Sequence, residues 1–80
     1  MDIDLAREMI RVAFATSREL QDLMALLKRQ LDAEEYKEHS LAIAAAIAEI
    51  GDALTDKALA AYPELEKEIE AKLAKYGRYI

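Results

Sequence analysis

The chain has no cysteine and no tryptophan, one histidine, one proline and two glycines in 80 residues. Without cysteine there is neither a disulfide nor a thiolate metal site. A single histidine excludes a histidine-rich metal site within one chain. So little glycine and proline leaves few places to turn, whereas an all-β chain needs many. The longest nearly uncharged run, Ser40 to Ala48, falls far short of a membrane span. The N-terminal MDIDLARE is acidic before any apolar run, which argues against a secretory leader. A net charge of −5 works against general nucleic-acid binding, which needs a basic surface. These absences give the expectations of a cytoplasmic chain with no membrane, no nucleic-acid partner and no cofactor.

What is present is helix-forming. Ala, Leu, Glu, Lys and Ile dominate, and the expected fold class is all-α. A first helix over about residues 3–30 is capped by Asp2 or Asp4. Ile3, Ala6, Ile10, Ala13, Ser17, Leu20, Met24, Leu27 and Leu31 follow alternating steps of three and four. A second apolar row runs beside them through Leu5, Met9, Val12, Leu23 and Leu26. Asp32 and Glu35 form a capping-box-like D-x-x-E, which places a turn between two antiparallel helices. The second helix is expected over about 33–61, with a seam of Tyr36, Ser40, Ile43, Ile47, Ile50 and Leu54. Pro63 ends it and opens a third helix over about 63–76, with Gly77 as the C-cap. Leu65, Ile69, Leu73 and Tyr76 form the stripe of that helix.

Both long helices carry apolar arcs wider than one hairpin partner covers. Two hairpins are therefore expected to pair as a homodimeric four-helix bundle, the third helices lying on its flanks. A compact three-helix monomer is the competing arrangement. The interface candidates are Ile43, Ile47, Ile50 and Leu54, the small residues Ala44, Ala48 and Gly51, and Tyr62 and Tyr76 near the third helix. The small residues read as positions where a backbone approaches Ala6, Ala13 and Ser17. Residues 32–62 carry seven negative charges and two positive, so the whole net charge resides there. Arg7, Arg11, Arg18 and Arg29 share a narrow arc of the first helix.

Chemistry has few carriers. His39 heads the Ala/Ile run and reads as a boundary residue at its edge, one turn after Glu35. Glu35 with His39 is too sparse for a carboxylate-bridged metal centre. Glu19 and Glu49 interrupt apolar rows, which reads as pairing or snorkelling rather than acid–base catalysis. No nucleophile triad or phosphate loop is present. His39-Ser40-Leu41, followed by small residues, resembles the active helix of histidine phosphotransfer domains, which are four-helix bundles. The resemblance implies His39 as the phosphoacceptor; that role needs an exposed His39 and a cation close by, for which Lys37 and Lys57 are the only candidates in the second helix. That family carries Lys three and Gly four residues after its histidine, where this chain has Ala42 and Ile43.

The leading expectation is thus a non-catalytic helical protein, not an enzyme. It would act through self-association and protein–protein contact as an adaptor, regulator or assembly subunit. A phosphotransfer role for His39 is the alternative from another class. The regularity of the composition also fits an engineered bundle.

Overall fold

The computed structural model describes all 80 residues. It is all-α, 86% helical and without strands. Helix α1 spans Ile3–Gln30. Helix α2 spans Ala33–Ile50, runs into a π-helical segment at Gly51–Thr55 and continues as α3, Asp56–Ala61. Helix α4 spans Leu65–Tyr76.

Side chains fix the helix ends as the sequence suggests. The Asp2 carboxylate accepts the Leu5 N–H at 2.7 Å, and the Asp32 carboxylate accepts the Glu35 N–H at 2.9 Å. Each satisfies one of the donors that a helix start leaves without a partner. Gly77 ends α4 in the left-handed region, at φ 73°, where only glycine avoids a steric cost. Helix α4 begins two residues later than expected. Pro63 and Glu64 form a tight turn instead, with the Leu65 and Glu66 N–H groups bonded to the Tyr62 and Pro63 carbonyls.

The second rod holds the main departure. The sequence reads as uninterrupted α-helix, but the Asp56 N–H bonds to the Gly51 carbonyl, five residues back. A π turn accommodates one extra residue, so everything after it is rotated by about 100°. Ala58, past the segment, is fully buried against α1.

The core sits at one end. Ala6, Ile10, Ala58, Leu65, Ile69 and Tyr79 form it, with Ile3, Met9, Phe14, Leu59 and Tyr62 packed around. It lies where the start of α1 meets α3 and α4, far from the Leu31–Asp32 turn. Toward that turn the hairpin is a bare pair of helices. Leu20, Met24, Leu27, Ile43, Ile47 and Ile50 face each other only half-buried there, and α2 has no buried residue.

The shape follows. The chain measures 45 × 25 × 14 Å, and its radius of gyration is 14.6 Å. A compact chain of this length has about 11.6 Å. Its accessible surface is 5612 Å², against about 4,850 Å² for a compact monomer of 9.0 kDa. Long stretches of the hairpin are therefore one helix layer thick, with both faces open.

Candidate functional site

Helix α4 occupies one of those faces, at the core end. Its Leu65 and Ile69 are buried, and Glu68 accepts two hydrogen bonds from Arg7 Nε at 3.0 and 3.2 Å. Lys72 stands 3.5 Å from Glu68 and 4.4 Å above the Tyr79 ring, and donates to the backbone oxygen of Ile80 at 2.6 Å. The Tyr79 ring stacks on Phe14, centroids 5.9 Å apart. Burial works against the ionised Glu68, but the Arg7 and Lys72 charges outweigh it and hold the carboxyl below its ordinary range. Burial first, and the neighbouring Glu68 second, push the Tyr79 phenol up. The Tyr79 hydroxyl is buried without a hydrogen-bond partner. This cluster is a clasp that ties α4 and the tail onto α1.

The opposite face has no cover. At about 100° per residue, Leu5, Val12 and Leu23 point roughly 140–180° away from the clasp residues Arg7 and Phe14. They are 52%, 38% and 42% exposed. Leu26, also exposed, flanks them. On the second rod the alanines Ala42 and Ala46 are exposed. They lie across the Ile43–Ile47 seam from Gly51, which lines the α4-side groove with Leu73 and Gly77. The free face is therefore a leucine and valine strip beside an alanine strip, with a groove between two helices.

Its unpaired charges have one sign. On α1, Glu8 and Glu19 lie about 40–60° from the Leu5 and Leu23 direction, while every Arg and Lys of the helix is roughly 120° or more away. On α2, Glu35, Glu38 and Glu49 lie within about 80° of the Ala46 direction, and Lys37 is about 180° round. Glu8 is bonded to Arg11, which keeps its carboxyl ionised to lower pH. Glu19, Glu35, Glu38 and Glu49 form no ion pair.

The residues singled out from the sequence fall into several places. Ile43, Ile47, Ile50 and Leu54 are half-buried in the hairpin seam. Ala44 and Ala48 are exposed on the α4 side, beyond the end of α4. The expected close approach at Gly51 is absent, since a Cβ there would meet nothing within 4 Å. The Tyr62 hydroxyl donates to the Met1 carbonyl at 2.7 Å, pinning the chain start to the end of α3. Tyr76 is exposed, with Lys75 5.2 Å over its ring.

His39 is exposed and forms no hydrogen bond or ion pair. It lies on the free-face side of α2, within about 20° of Ala46. Lys37 points about 160° round the helix from it, and Lys57 stands some 27 Å along the rod. No group of three or more His, Asp or Glu side chains converges as a metal site would require.

The spacing marks Leu5, Met9, Val12, Leu23 and Leu26 as a second apolar row, whereas the interface candidates drawn from the sequence lie on the second rod and at Tyr62 and Tyr76. Their signal was the row itself, which lacks a partner within one hairpin. The geometry defines an all-α helical hairpin with one groove filled by its own third helix and one left open. No protein-family model matches the chain, and no curated protein or solved structure shows significant similarity to it. No helix is long and apolar enough to cross a membrane.

Proposed function

We propose that the protein works by association, as a non-catalytic helical scaffold whose free hairpin face is covered by another protein surface. The observation that carries this is the exposed Leu5, Val12 and Leu23 strip, running along a face that nothing in the chain covers. Scattered surface leucines are ordinary, but large apolar side chains recurring along one uncovered face mark an interaction surface. The surface excess over a compact monomer is roughly 760 Å², close to the ~800 Å² that each partner gives to a standard interface.

A second copy of the chain is the first cover to test, because both long helices carry arcs wider than their hairpin uses. The test pairs solution mass by light scattering over a wide dilution range with binding of a neutral, leucine-striped helical peptide. Both are run on the natural chain and on Leu23→Lys. Association by either route, lost in the variant with the helical signal intact, is expected. A natural chain that stays monomeric and takes no peptide would sink the reading.

A further inference from the structure

We infer that the open groove takes a basic amphipathic helix, laid lengthwise between α1 and the α2–α3 rod; this rests on the association reading above. The floor carries Leu5, Val12 and Leu23 on one side, with Thr16 and Glu19 between the last two, and Ala42 and Ala46 on the other. Large residues beside small ones leave a channel rather than a ridge. Both edges carry unpaired carboxylates, Glu19 on α1 and Glu35, Glu38 and Glu49 on α2, while Glu8 is already paired with Arg11. The α1 cations lie on the other half of their helix. An occupant with an apolar stripe flanked by Lys or Arg meets every part of that surface with its complement.

The molecule supplies its own precedent. The groove on the opposite face is filled by α4, an amphipathic helix whose Leu65 and Ile69 enter the core. Its edge residue Glu68 meets Arg7, on the flank of α1 that carries the arginines. The basic flank receives an acidic helix edge, and the acidic flank calls for a basic one. A second copy fits less well. Stacking two free faces brings the Glu19 edge of one chain beside like charges of the other, whether Glu19 or Glu49, with no Arg or Lys of α1 turned toward them.

The experiment uses the full chain and three synthetic helical peptides of about 18 residues, long enough for ~27 Å of groove. All share one leucine stripe, and their edge residues are Lys, Gln or Glu. Binding is followed by fluorescence anisotropy at low and high salt, with solution mass measured in the same buffers. The Lys-edged peptide is expected to bind about tenfold tighter than the Gln-edged one, the ~1.4 kcal/mol that three rim ion pairs supply. That margin is expected to close at about 1 M salt, where charges are screened within ~3 Å. Val12→Lys and Leu23→Lys are expected to abolish binding, and Leu41→Lys, on the other side, to leave it. Paired Glu19→Lys and Glu49→Lys, which leave Glu35 and Glu38 against two lysines, are expected to erase most of the margin between the Lys-edged and Gln-edged peptides. Equal affinity for all three would overturn the basic-helix inference while leaving the association reading standing. A concentration-dependent dimer that excludes every peptide would also overturn it, in favour of a second copy. A monomer that takes no peptide would overturn both.

Discussion

Leu65→Ala tests where the stability resides. Leu65 is 1% exposed and is one of the two largest fully buried side chains, the other being Ile10. The substitution removes three carbon groups, worth about 2.4 kcal/mol at ~0.8 kcal/mol each. A cavity cost adds to this, because the walls belong to separate helices held by Ile10, Ala58 and Tyr79. The loss expected is about 3 kcal/mol, inside the 2–5 kcal/mol range for such changes. A chain of this size has only about 4–12 kcal/mol in total, and the midpoint of thermal unfolding is expected to fall by roughly 12–24 °C. The assay is urea unfolding followed by far-ultraviolet circular dichroism, with Leu41→Ala alongside. Leu41 is 63% exposed, so its truncation is expected to shift stability by about 0.5 kcal/mol or less. A Leu65→Ala loss below about 1 kcal/mol, or equal losses for the two variants, would refute a core confined to the α1–α3–α4 end.

Four other changes separate the remaining arguments. Gly51→Ala is expected to stabilise by about 0.4–1 kcal/mol, since the position is helical and the added Cβ meets nothing; no gain in urea unfolding would mean that the π turn requires glycine. Gly77→Ala, at φ 73°, is expected to cost about 1 kcal/mol instead. The Glu68 carboxyl is depressed in the folded chain, so its contribution is present above the ordinary carboxylate range and is lost as pH falls through the lowered value. Stability against pH should therefore drop less steeply on acidification in Glu68→Gln, and an unchanged slope would remove Arg7–Glu68 as its source. Tyr79→Phe keeps the stack on Phe14 while deleting a buried hydroxyl that has no partner, and should hold or raise stability. Because the phenol is raised, its contribution is lost as pH rises through its ordinary range toward the folded value. The variant should therefore unfold less readily in alkali, as urea titrations above pH 9 would show.

Much of the fold is legible in the sequence. The three-and-four spacing from Ile3 to Leu31 writes α1, and Asp2, Asp32 and Gly77 mark ends through local bonds that depend on a few neighbouring residues. The π segment is not legible, because Gly-Asp-Ala-Leu-Thr carries nothing that distinguishes five residues per hydrogen-bonded ring from four. Alanine misleads in another way. It favours helix whether buried or exposed, so Ala44 and Ala48 look like contacts and turn out bare, whereas Ala6 and Ala58 are fully buried. The Arg7–Glu68 pair spans 61 positions, and each of its members has many possible partners in a chain so rich in charge. The free face was half visible. The second row of α1 was plain in the spacing, but only the docking side of α4 decides which apolar strip stays open.

That choice of side depends on a piece of arithmetic in the second rod. The π turn is one residue too many for a straight α-helix. Remove one residue between Gly51 and Thr55 and the regular bonding is restored, with Ala58, Tyr62 and all of α4 left facing as they do. Keep every residue but wind the segment as plain α-helix, and they swing by about 100° about the rod. Helix α4 would then leave the groove where Glu68 meets Arg7. A single-residue deletion here is a local shortening, whereas straightening the turn is a change of address for the last third of the chain. The wide turn, by absorbing the surplus residue, decides which groove the protein fills for itself and which it leaves vacant.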